Sequence, residues 1–125
     1  MLIFRGTDWY EGLSPEEMQQ VTDRWMAWFN GLKDQGTAIA GNPLEKEGKI
    51  VSGPKGRVIS DGPFAESKET IGGYFLLKVD SMDDAVTIAK DCPGLPYGIR
   101  VEVRPVAGEC PIVEELRSEA HAVKA

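Results

Sequence analysis

The spacing of apolar residues changes period several times along the chain, and each change marks an element. Leu2-Ile3-Phe4 is a short apolar run closed by Gly6, too brief for a helix and predicted to be a strand buried on both faces. Ser14-Pro15-Glu16-Glu17 then combines an N-cap serine, a proline at the first helical position, acids favoured by the helix dipole and a glutamate placed to close a capping box. Met18, Val21, Trp25, Trp28, Phe29 and Leu32 follow, mostly three or four apart, which gathers them on one face of a helix ending near Gly36. That face must cover something apolar, so Trp25, Trp28 and Phe29 read as helix packing rather than a cofactor box.

Residues 37–41 are predicted to run extended until Asn42-Pro43 interrupts them. Residues 49–52 and 57–60 flank Gly53-Pro54-Lys55-Gly56, whose glycines and proline suit a reversal between paired strands. Residues 73–79 are aromatic and branched and read as a central strand. Ser81-Met82-Asp83-Asp84 opens a second helix with another capping box, expected to bury Met82, Ala85, Val86 and Ala89 before Pro93 and Gly94 stop it. Ile99, Val101 and Val103 then alternate with Arg100, Glu102 and Arg104, giving a last strand with one apolar and one charged face. The chain divides into a domain over 1–107 and a polar tail over 108–125, expected to fray, with a short helix at 111–117.

The order strand, helix, strand, hairpin, strand, helix, strand is a ferredoxin-like βαββαβ unit with an inserted β-hairpin, an α+β fold in which both helices cover one face of an antiparallel sheet. The opposite face is left bare, yet the central strand is apolar on both sides. A second copy packed sheet to sheet would remove that exposed patch, so a face-to-face homodimer is expected.

Composition narrows the function classes. Twenty Asp and Glu against fourteen Lys and Arg give a formal charge of -6, which repels phosphate backbones and anionic membranes, so neither nucleic acid nor membrane is expected as a partner. The longest apolar stretch, residues 72–77 with Val79 beyond it, is far short of the roughly 20 residues of a spanning helix. The start lacks the basic and apolar regions of a signal peptide, and a cytoplasmic location is expected. Cys92 and Cys110 stand 18 positions apart with no zinc spacing around them and read as reduced structural thiols. No glycine-rich phosphate fingerprint, nucleophile elbow or His-Glu-Xaa-Xaa-His run is present, so no cofactor or metal is expected.

Candidate chemistry concentrates around residues 61–69. Asp61, Glu66 and Glu69 with Lys68 place three carboxylates and an ammonium just before the central strand. Asp61 and Glu66 are candidate general bases and Lys68 a candidate electrostatic stabiliser, against the alternative of a turn followed by a solvated charged loop. Trp9, Tyr74, Arg100 and Arg104 are candidate ligand contacts. Trp9 and Tyr10 either wall a pocket mouth or cap the core edge. Arg100 and Arg104, with Glu102 between them, either bind an anion inside a dimeric barrel or form a cross-strand ion-pair ladder.

Asp61-Gly62-Pro63-Phe64-Ala65-Glu66-Ser67-Lys68-Glu69, followed by Gly72-Gly73-Tyr74-Phe75, resembles the signature of the DGPF family, a branch of the YCII-related proteins. Leu13-Ser14-Pro15-Glu16-Glu17 and Tyr97-Gly98 with Val101-Glu102-Val103-Arg104-Pro105 extend the resemblance over 1–107. It implies a bacterial ferredoxin-like domain that dimerises into an α/β barrel and binds a small molecule, and a link to extracytoplasmic-function sigma factors. The wider family suggests a His-Asp site, but the only histidine here, His121, lies in the tail. Two readings follow: an enzyme using carboxylates and Arg, or a noncatalytic binding or regulatory module.

Overall fold

The computed structural model describes residues 1–6, 9–62 and 70–124, the side chains of 121–124 excepted. Strand β1 (Leu2–Arg5) leads to helix α1 (Pro15–Asp34), then β2 (Ala38–Pro43), β3 (Lys49–Ser52), β4 (Val58–Asp61), β5 (Ile71–Leu77), α2 (Met82–Ala89), β6 (Arg100–Val103) and α3 (Pro111–Lys124). The four strands β2-β5-β1-β6 form one antiparallel sheet in that order. This α+β arrangement is compatible with a ferredoxin-like unit. Strands β3 and β4 pair with each other as a separate two-stranded ribbon.

α1 starts where the capping residues dictate. The Ser14 hydroxyl accepts from the Glu17 backbone N–H at 3.1 Å, and the Glu17 carboxylate accepts from the Ser14 N–H at 3.4 Å, which satisfies two donors at the helix start. The register of the sheet then decides what α1 covers. Leu2 is paired with Phe75 and Phe4 with Gly73, so these residues share one face. Leu2, Phe4, Leu32, Phe75, Ala89, Cys92 and Ile99 make the buried core there. Phe4 is edge-on to Trp25, Trp28 and Phe75, with ring centroids at 5.0, 6.0 and 4.8 Å, the geometry that the quadrupoles of aromatic rings favour.

Several expectations are corrected. Asn42-Pro43 does not interrupt β2, since both belong to it and Pro43 is its last residue, which is tolerated because β2 is an edge strand whose outer side needs no N–H donor. Met82 is 45% exposed rather than buried, and only Ala85 and Ala89 of α2 enter the core; Met82 shares their helix face but is its first residue, at the open end of the stripe. Met18 likewise stays exposed on the first turn of α1. The end of the chain forms a helix of 14 residues over Pro111–Lys124, longer than the predicted 111–117. No helix among the described residues is long and apolar enough to cross a membrane.

Candidate functional site

Three glycines shape the space between α1 and the sheet. Gly41 in β2 and Gly73 in β5 lie on the same face of neighbouring strands two register positions apart, Gly73 paired with Pro43 and Gly41 with Phe75, and Gly72 precedes Gly73. The bare positions at Gly41 and Gly73 let the Phe75 and Phe29 rings and the β2 backbone close in on the strands. Beside them, under the middle of α1, lies a cavity of about 470 Å³, within the roughly 300–1,000 Å³ range of small-molecule sites. Val21, Thr22, Trp25, Met26 and Phe29 of α1 roof it, Phe4 and Phe75 form its inner wall, and Trp9 and Tyr10 stand at its side. Gly41 cannot be larger without cost: a Cβ there would come within 2.7 Å of Phe75 Cδ1 and 2.8 Å of Phe29 Cε2.

The wall is almost wholly apolar. Trp9 stacks on Trp25 at 5.9 Å with an interplanar angle of 22° and meets Tyr10 edge-on at 5.6 Å. Lys46 places its Nζ 4.7 Å from the centre of the Tyr10 ring, a cation–π contact beside the cavity. Asn42 Nδ2 donates to the Tyr74 hydroxyl at 3.3 Å. Tyr10, Thr22 and Lys46 are the polar side chains on the helix side of the lining, while Asn42 and Tyr74 border it from strand positions whose side chains turn to the opposite sheet face; among the described residues no carboxylate, histidine or thiol borders it.

The predicted site residues separate into distinct places. Trp9 and Tyr74 both line the cavity. For Trp9 the two alternatives merge, because it also packs against the buried core. Arg100 and Arg104 do not border the cavity. Arg100 lies opposite Arg5 across β1 and β6, and Glu102 opposite Ile3, which puts Arg100 and Glu102 on the face away from the helices. There Arg5 binds Glu102 through Nε and a second guanidinium nitrogen, at 2.8 and 2.7 Å, a cross-strand ion pair of the kind the alternation of β6 predicts. Arg104 is exposed, and its backbone N–H donates to the Met1 carbonyl at 2.9 Å.

Asp61 is not in a turn: it is the last residue of β4, cross-strand from Lys49, and pairs with the Lys49 ammonium in an exposed ion pair. Glu66 and Lys68 lie outside the described residues. Cys92 is buried and Cys110 exposed, and burial pushes the Cys92 thiol up to about 11 despite hydrogen bonds from the Gly94 and Leu95 backbone that act the other way. Among the described residues no cluster of His, Cys, Asp and Glu suits a metal ion.

Sequence reasoning placed Trp25 and Phe29 in helix packing alone, and the structure gives them a second role as cavity wall. The cavity-forming glycines were also missed. The one signal available was the doublet Gly72-Gly73 inside an otherwise apolar strand, since glycine in a strand marks a bulge or a close approach.

A family model described as YCII-related domain matches residues 6–107. The Uncharacterized protein R00369 of Rhizobium meliloti (strain 1021) is 41% identical over 59 residues, or 43% of this chain and 48% of that protein. The matched stretch thus spans about half the length of this relative.

Proposed function

The chain belongs to the YCII-related domain family, and from that premise we propose that it binds a small apolar, ring-containing molecule in the glycine-floored cavity between α1 and the sheet. The observation that carries this reading is the lining itself. Six aromatic side chains of the described residues surround or border about 470 Å³ (Phe4, Trp9, Tyr10, Trp25, Phe29 and Phe75), and apolar walls with few polar groups are the usual make-up of ligand sites. The polar side chains Tyr10, Thr22 and Lys46 supply donors that orient a ligand without offering an obvious acid or base. Binding without turnover is therefore favoured over carboxylate catalysis, for which Asp61, held by Lys49 on the exposed ribbon, is poorly placed.

A second copy belongs to the same reading. Ile3, Tyr74 and Leu76 lie half-buried on the uncovered sheet face, and packing two such faces together removes them from water, as in a dimeric α/β barrel. Light scattering at micromolar concentration should give a dimer, and a monomer would end this part of the proposal.

The binding claim is tested by thermal-shift screening of one- and two-ring aromatic compounds against equally sized aliphatic ones. Aromatic hits should raise the midpoint, by mass action worth about 2.7 kcal/mol at a hundredfold excess over Kd. Those hits should quench tryptophan emission, and they should do so less in Trp9→Ala. Hits confined to charged aliphatic compounds would overturn the proposal.

A further inference from the structure

The β3–β4 ribbon is too small to stand alone, since an isolated two-stranded hairpin is at best marginally stable in water. Yet its four large apolar side chains, Ile50, Val51, Val58 and Ile59, are 46%, 62%, 55% and 65% exposed. The ribbon is also a basic spot in an acidic protein: residues 49–61 hold two lysines, one arginine and one aspartate. At its tip Lys55 adopts a left-handed backbone, φ 61°, a conformation that glycine or asparagine takes more readily. A strained lysine kept at an exposed tip points to use of its charge.

The complementary surface is on the same chain. α3 presents Ile112, Val113 and Leu116 at 67%, 40% and 58% exposure, one stripe at helical spacing. The flanks are acidic: residues 109–119 hold four glutamates and one arginine, and that Arg117 is engaged by Glu109 at 2.9 Å. Within one chain the apolar side chains of both surfaces remain open to solvent.

We propose that α3 of one copy docks through this acidic-flanked apolar stripe onto the basic β3–β4 ribbon of a second copy. Apolar contact supplies the attraction, and Glu115 and Glu119, which flank the stripe, facing Lys55 and Arg57 set the register and disfavour stripe-to-stripe pairing, in which glutamates would meet glutamates. This contact is separate from the cavity and from the uncovered face of the four-stranded sheet, so it stands or falls independently of the function proposed above.

The test uses two versions of the full chain. One keeps Cys110, the residue before α3, with Cys92 shielded by burial. The other carries Cys110→Ser and Val58→Cys, together with a mass tag. After mixing, a short bismaleimide should give a covalent species of mixed size. Leu116→Glu in the first version should cut its yield about tenfold or more, the loss expected from one buried leucine. Lys55→Glu with Arg57→Glu should weaken it, and Glu115→Lys with Glu119→Lys on the other copy should restore it. Ile59→Cys replaces Val58→Cys if circular dichroism shows the latter misfolded. A third version that carries both Cys110 and Val58→Cys serves as control: a crosslink within that chain and none between the two single-thiol versions would mean docking within a copy and overturn the proposal. Folded chains that give no mixed species would overturn it equally.

Discussion

Two glycine-to-alanine substitutions should move stability in opposite directions, and the difference is set by space rather than by backbone preference. Gly31 lies within α1 with a negative φ, and nothing stands within 4 Å of where its Cβ would be. Alanine there removes the entropic penalty of a helical glycine, worth about 0.5–1 kcal/mol. Gly41 also lacks a positive φ, so alanine gains a similar few tenths to about 1 kcal/mol through the unfolded chain. Its Cβ, however, would sit 2.7 Å from Phe75 Cδ1 and 2.8 Å from Phe29 Cε2, and neither ring can yield without disturbing a neighbour: Phe75 packs on Phe4, Trp28 and Phe29. Overpacking of this kind costs roughly 1–3 kcal/mol. The net for Gly41→Ala is a loss of about 1–2 kcal/mol. For a chain of this size each kcal/mol moves Tm by roughly 3–5 °C. Thermal unfolding by far-ultraviolet circular dichroism should therefore place Gly31→Ala a few degrees above the parent and Gly41→Ala several degrees below it. Urea unfolding should show unchanged slopes. A Gly41→Ala variant as stable as Gly31→Ala would refute the close packing from which the cavity floor is inferred.

Further outcomes follow from the same packing. Phe4→Ala removes a 3%-exposed ring that touches Trp25, Trp28 and Phe75, and should cost about 3–5 kcal/mol in urea unfolding. Ser14→Ala breaks both arms of the capping box and should cost about 1 kcal/mol, with Ser14→Gly closer to the parent. A thiol reagent at pH 8 should label Cys110 at once and Cys92 only on unfolding. Because the Cys92 thiol is raised from 9.0 to about 11, the folded state keeps a proton that the unfolded state releases. Its contribution is intact below pH 9 and is lost as pH climbs towards 11, so Cys92→Ala should flatten the alkaline decline in Tm.

The parts of this fold legible in the sequence are those fixed by local chemistry. Ser14-Pro15-Glu16-Glu17 announces the start of α1 because capping needs only residues three apart, and the alternation of β6 foretells a charged face that the Arg5–Glu102 pair then occupies. What escaped depends on register. Gly41 and Gly73 are 32 positions apart, and only the pairing of β2 with β5 brings them onto one face of neighbouring strands beside the cavity. Asp61 looked like turn chemistry beside Gly62 and Pro63, but pairing with Lys49 draws it into β4. Trp9 and Tyr74, named from the sequence as ligand contacts, both border the cavity, while Arg100 lies on the face of β6 turned away from the helices, the face that a dimeric barrel would enclose.

In the proposed mode of binding, the cavity and no other surface takes the ligand. A nitrogen–proton correlation spectrum recorded during titration with the strongest aromatic hit would test it directly, since glycine amides resonate in a region of their own. The account predicts that Gly41, Gly72 and Gly73 shift together, with the indole N–H signals of Trp9 and Trp25 following at the same ligand concentration. Shifts gathered instead around Asp61 or Arg100, with the three glycines unmoved, would contradict it.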